Sequence, residues 1–182
     1  MKSKEERLAE LQKKETFTLE EFRELTQLSP PGTFWSLPGW RAIGVVDIHR
    51  AFQNLKEGRD RTRHAMRNEC YLEVISLRLQ HAEFWLRMYW AAKNPGRRIF
   101  DPNDRRTFGK LVNDCACLGF RRDLVSRLKR FNGHRVDAIH KYLLGATKYD
   151  ELKRVCEDST GLDGDVGKYV MQEIRAPLGQ PQ

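Results

Sequence analysis

Apolar residues recur along this chain at steps of three and four, and strand-like alternation is nearly absent, so the pattern predicts helices throughout. Lys2 to Lys14 is charged, with Leu8 and Leu11 as its apolar positions, and reads as a frayed or surface helix. Thr18-Leu19-Glu20-Glu21 has the form of a capping box, and Leu19, Phe22 and Leu25 follow at three-residue steps, giving a short amphipathic helix. Ser29-Pro30-Pro31-Gly32 ends it, and Phe34 to Gly39 reads as a loop with anchoring aromatics. Beyond Trp40, residues Ile43, Val46, Ile48, Phe52 and Leu55 mark one helix. Met66 to Lys93 reads as a long second one, apolar on most sides, with a main stripe of Tyr71, Ile75, Leu79, Ala82, Trp85, Leu86 and Tyr89. A helix hydrophobic nearly all round is usually the central, buried one.

Asn94-Pro95-Gly96 stops that helix, and Asp101-Pro102-Asn103-Asp104 offers capping residues for a third, running to about Leu118. Gly119 closes it. A fourth spans about Arg121 to Leu144 with Gly145 as its C-terminal cap. Tyr149 to Asp158 and Asp163 to Ile174 make a last pair around Gly161. The expected fold is all-α: a bundle of about five main helices over 40–175. A helical extension with a Pro/Gly loop over 1–39 precedes it, and a disordered tail over 176–182 follows.

The fourth helix is unusual. On a wheel of about 100° per residue, Asn132 sits at the centre of a stripe made by Val125, Leu128, Val136, Ile139 and Leu143. Arg135 lies about 60° away and His140 about 80° to the other side. Turning Asn and Arg toward apolar neighbours is unfavourable unless they find partners. Three explanations stand open. Arg135 pairs with a carboxylate on the long helix, Glu83 or Glu73; or Asn132, Arg135 and His140 line a dimer seam or ligand cleft; or Gly133 breaks the helix.

Charge sharpens this. The 182 residues carry 33 Lys+Arg and 25 Asp+Glu, a net +8, yet residues 96–135 alone hold eleven basic and four acidic groups, +7. A clustered basic region suits a phosphate-backbone partner, or else is a solvated face. Composition leaves enough apolar residues for a core, and no apolar run reaches the ~18–20 residues of a spanning helix, so no membrane partner is expected. The charged N-terminus does not resemble a signal peptide, and four cysteines give no disulfide framework; a reduced, cytoplasmic setting is expected.

Phe131-Asn132-Gly133-His134-Arg135-Val136-Asp137-Ala138-Ile139-His140 resembles the Arg-x4–6-His signature of HEPN domains. These are small all-α proteins, many of them metal-independent ribonucleases of toxin–antitoxin, CRISPR and antiphage systems, whose motif lies on a late helix and whose two copies build one composite site. The resemblance implies Arg135 and His140 as the catalytic pair, Asn132 as the polar residue before the arginine, and Glu83 as the acidic residue of the long helix. It also implies RNA as substrate, a homodimer, and an antitoxin or defence-system partner. Val136 follows Arg135 where many members carry a polar residue. The chemistry is reasonable on its own terms: histidine suits proton transfer near neutral pH, and arginine binds phosphate bidentately while staying charged. Arg97, Arg98, Arg105, Arg106, Arg121, Arg122, Arg127, Lys129 and Arg130 are then the candidates for holding the RNA backbone.

The remaining signals are weaker. Cys115-Ala116-Cys117 lacks a second ligand pair, and Cys70, Cys156 and His64 have no ligand spacing, so buried thiols and no metal are expected. No P-loop or dinucleotide fingerprint occurs, and no cofactor is expected. Trp85 and Trp90 read as core, Trp35 and Trp40 as possible base-stacking groups. Arg59-Asp60-Arg61-Thr62-Arg63-His64 is either a second phosphate contact or a solvated helix turn. Beside the ribonuclease stand two alternatives: a non-catalytic HEPN-like module binding RNA or a protein, and a basic helical adaptor.

Overall fold

The computed structural model describes residues 3–13, 19–28, 48–94, 104–146 and 148–175. Among them every regular element is a helix: α1 (Lys4–Gln12), α2 (Leu19–Leu28), α3 (Ile48–Arg67), α4 (Tyr71–Lys93), α5 (Phe108–Cys117), α6 (Arg122–Leu143), α7 (Tyr149–Asp158) and α8 (Leu162–Arg175). The fold is an all-α bundle. Thr18, the segment 29–47 with Trp35, Trp40, Ile43 and Val46, the expected capping residues Asp101, Pro102 and Asn103, and the tail 176–182 lie outside the described residues.

The central position expected for the long apolar helix is borne out. α4 packs against α3, α5, α7 and α8 and buries Val74, Ile75, Ala82, Trp85, Leu86, Met88 and Tyr89. α8 comes close enough that a Cβ on Gly167 would lie 2.8 Å from the Trp85 indole. α3 likewise approaches α4 at Gly58, where a Cβ would lie 2.2 Å from His81 Nε2. At one end Tyr89, Phe120 and Tyr169 stack edge-on, with centroids 4.8 Å apart at both Phe120 contacts.

Two boundaries differ from the pattern. Met66 and Arg67 end α3 rather than begin α4, because the chain turns at 68–70. Asn68 caps the last turn by donating to the His64 carbonyl at 3.0 Å, Glu69 takes φ 59°, and Cys70 N–H reaches back to the Ala65 carbonyl at 2.8 Å. The cap of α5 is Thr107, whose hydroxyl accepts from Lys110 N–H, and Asp104 is used elsewhere. The expected stops at Gly119, Gly145 and Gly161 all have positive φ (87°, 69° and 76°), where an L side chain would be strained. The N-terminal extension is better anchored than its composition suggests. Ser3 and Glu6 complete a capping box on α1, Arg7 grips Glu24 of α2 with two hydrogen bonds of 2.8 and 2.7 Å, and Leu11 and Leu25 are fully buried.

α4 also buries polar groups the apolar pattern concealed. The Arg78 guanidinium donates to the Cys156 carbonyl and, at 2.8 Å, to the Ser159 hydroxyl. His81 Nδ1 meets Asp163 at 3.3 Å. Burial works to raise the Asp163 carboxyl, but the hydrogen bond and charge of His81, with Arg78 nearby, outweigh it and hold it below its ordinary value. These bonds tie α4 to α7 and α8, the two helices that flank α6.

Candidate functional site on helix six

α6 starts just past the Gly119 turn and runs 22 residues without a break, so Gly133 does not interrupt it. Its buried residues are Leu124, Val125, Leu128, Phe131 and Ala138. That arc is rotated by roughly 60° from the stripe expected around Asn132, because Val136 is 38% exposed and Leu143 73%. The upper half of α6 therefore presents apolar side chains outward, and Leu144 beyond it is 82% exposed.

The rotation puts Arg135 on the centre line of the buried arc and leaves Asn132 and Ile139 at its margin. Arg135 Nη2 donates to Asn132 Oδ1 at 2.9 Å, and Asn132 packs against α5, where a Cβ on Gly109 would lie 3.5 Å from its Nδ2. Arg135 Nε is buried and has no acceptor among the described residues. Burial alone lowers the guanidinium from its ordinary value; no neighbouring charge offsets it. The expected pairing with Glu83 or Glu73 is not found among the described residues. Glu73 is exposed, and Glu83 accepts two hydrogen bonds from Arg87, at 2.9 and 2.7 Å, one turn further along α4. Arg87 also reaches Asp104 at 2.6 Å. Glu83 thus belongs to a network that fixes the segment before α5, because a local i,i+4 arginine outcompetes a partner on another helix.

His140 is exposed. Five residues beyond Arg135, it points about 140° away from it around α6. One chain therefore does not bring the two side chains to a common point. Asn132 and Arg135 meet; His140 stands apart, beside the exposed Val136 and Leu143.

The basic stretch divides by partner. Arg97 and Arg98 lie outside the described residues. Arg106 is half-buried: its guanidinium lies 3.7 Å from the centre of the Trp90 ring and grips Asp104 at 2.5 Å, with Asp114 at 3.6 Å. Its charge is engaged within the fold. Arg121 pairs with Asp123 at 2.7 Å, and Arg127 with Asp165 of α8 at 2.8 Å. Arg105, Arg122, Lys129 and Arg130 are exposed and make no ion pair among the described residues. Arg122 and Lys129 share the wheel position of His140 to within about 20°.

The other side of α6 forms two adjoining clefts against α7, of about 210 and 170 Å³. His134 lines both, with Asp158 and Val155; Lys141 and Arg154 rim one, Arg127 and Arg130 the other. On the wheel His134 falls about 160° from Asn132, and nothing in the local sequence announces the α7 wall opposite it. Among the described residues no group of three or more His, Cys, Asp or Glu could hold a metal ion. Cys115 and Cys156 are buried as expected, their thiols raised by burial to about 12 and about 11; Cys70 and Cys117, contrary to expectation, are exposed. No described helix is long and apolar enough to cross a membrane. No family model matches the chain, and no curated protein or solved structure matches it.

Proposed function

We propose that the chain is a HEPN-like endoribonuclease that cuts RNA through its own 2′-OH without a metal ion, working as a cytoplasmic homodimer in a toxin or antiphage role. The observation that carries this reading is the Asn132–Arg135 pair: a half-buried arginine with a buried, unused Nε–H, and no carboxylate to neutralise it among the described residues. An arginine kept charged without an internal carboxylate suits an anionic ligand, and a phosphate is the anion its fork fits best.

In the reaction His140 takes the proton of a ribose 2′-OH. The 2′-oxygen attacks the adjacent phosphorus, Arg135 balances the added charge of the phosphorane, and the P–O5′ bond breaks. That histidine, contributed by the second copy, then returns the proton to the 5′-oxygen. The products are a 2′,3′-cyclic phosphate and a 5′-hydroxyl. The second copy is needed because Arg135 and His140 diverge within one chain. The exposed Val136, Leu143 and Leu144 give the two copies an apolar seam beside the histidines. An antitoxin or defence protein that covers this seam belongs to the same reading.

The divergence of Arg135 and His140 also favours a second reading: a non-catalytic HEPN-like module that binds RNA or a protein partner. Incubation of the purified chain with mixed RNA in EDTA separates the two. Cleavage with cyclic-phosphate ends supports the enzyme, and binding without cleavage supports the module.

A further inference from the structure

We infer that the outward face of α3 is a second phosphate-binding surface, separate from α6, that holds the backbone of a single-stranded nucleic acid. α3 carries six Arg/Lys against two Asp/Glu, a formal +4, and α6 carries the same six against two. A net charge as large as that of α6 is thus carried by a second helix, outside residues 96–135.

The face is set by packing. Leu55, Gly58, Thr62 and Ala65 are buried, and the Thr62 hydroxyl donates to the Gly58 carbonyl at 2.7 Å. The close approach of Gly58 to His81 fixes the rotation of the helix on α4. Lys56, Arg59, Arg63 and Arg67 then fall on the opposite side, within an arc of about 80°, one per turn over roughly 16 Å. All four are exposed. Arg63 pairs with Asp60 of its own helix, 69% and 52% exposed, an ion pair that solvent screens and a phosphate can displace. Lys56, Arg59 and Arg67 make no ion pair among the described residues. α3 packs chiefly on α4, whereas α6 packs on α5, α7 and α8, so the two surfaces are distinct.

The row favours a nucleic-acid backbone over a membrane. An interfacial helix needs a free apolar face, and that of α3 is spent on α4. A line of cations at one-turn intervals, three of them forked guanidinium groups, matches a chain of regularly spaced phosphates instead. RNA as the strand rests on the proposed ribonuclease; the surface itself does not.

The test measures binding of a labelled 20-nucleotide RNA to the full chain carrying Arg135→Ala, which prevents cutting, between 50 and 200 mM salt. Compared with that background, Lys56→Gln/Arg59→Gln and Arg63→Gln/Arg67→Gln should each lower the slope of log K against log salt by about 1.4, and the fourfold variant by about 2.8, at roughly 0.7 per phosphate contact. Affinity at 50 mM should fall at least tenfold in the fourfold variant. Each double variant reports independently of the other, and each should keep the helical melt of the background. Unchanged slope and affinity in both double variants overturns the inference, even if the wild-type chain cuts RNA. An α3-dependent slope with wild-type RNA left uncut keeps it and removes the ribonuclease. Competition by a polyglutamate peptide at RNA's own concentration overturns the assignment to nucleic acid.

Discussion

Arg135 donates to Asn132 Oδ1 at 2.9 Å, one turn away on α6, and the same guanidinium keeps a buried Nε–H with no acceptor among the described residues. A buried unsatisfied donor costs about 1–3 kcal/mol. Arg135→Met removes that donor and fills the same space with an apolar chain. Stability should rise by about 1 kcal/mol, or roughly 2–4 °C in Tm for a chain of this size, while RNA cleavage is lost. A melt that falls by several degrees instead marks Arg135 as a stabilising residue.

Asp104 is the hub of a second arrangement, joining Arg87 and Arg106 while only 9% exposed. Hydrogen bonds from Arg106, then those from Arg87, hold its carboxyl well below the ordinary carboxylate range despite burial. Because the folded value is depressed, the resulting stability is fully present above about pH 4 and is lost as acid carries the carboxyl toward its folded value. Asp104→Asn should cost about 2–3 kcal/mol at neutral pH. The gap between variant and wild type should narrow below pH 4. Urea melts at pH 7, 5 and 3 measure it, and a gap constant with pH contradicts the role given to Asp104.

Two helical glycines should respond in opposite senses. At Gly58 a Cβ meets the buried His81 ring at 2.2 Å, whereas at Gly133 nothing lies within 4 Å. Gly133→Ala should stabilise by about 0.5–1 kcal/mol through helix propensity alone. Gly58→Ala gains the same propensity but must push α3 off α4, for a net loss of about 2 kcal/mol. Equal effects at the two sites in thermal melts rule out the close α3–α4 approach.

The proposed dimer rests on the exposed apolar residues at the end of α6. Leu143→Glu with Leu144→Glu places two charges on side chains 73% and 82% exposed. The variant should sediment as a monomer, with Tm within a few degrees of the wild-type monomer limit and cleavage reduced at least a hundredfold. Sedimentation identical to wild type removes this seam as the interface.

Much of the fold was legible because its punctuation is local. Gly119, Gly145 and Gly161 stop helices by backbone conformation, and the run from Tyr71 to Lys93 is too apolar to lie anywhere but the centre. The α3–α4 break was hidden because a non-glycine, Glu69, takes the left-handed turn. At the site, the Asn132–Arg135 neighbourhood followed from helical spacing. The rotation of α6 did not, since Val136 and Leu143 look like core until the width of the bundle is known. The partners of Arg106 and Glu83 were hidden for a related reason: Asp104 with the Trp90 ring, and Arg87, are chosen by packing between elements or by the nearest turn, not by net charge. On α3 the run Arg59 to His64 reads as either a phosphate contact or a solvated turn, and only packing on α4 shows that Lys56, Arg59, Arg63 and Arg67 share one exposed side.

The most direct test of the proposed composite site is complementation. Wild type, Arg135→Ala, His140→Ala and an equimolar mixture of the two variants, refolded together, are incubated with RNA in EDTA, and the ends are analysed for 2′,3′-cyclic phosphate. Wild type should cut, each variant alone should not, and the mixture should regain a fraction of wild-type activity through mixed dimers. RNA left intact by the wild type, or cut equally by both single variants, contradicts the account.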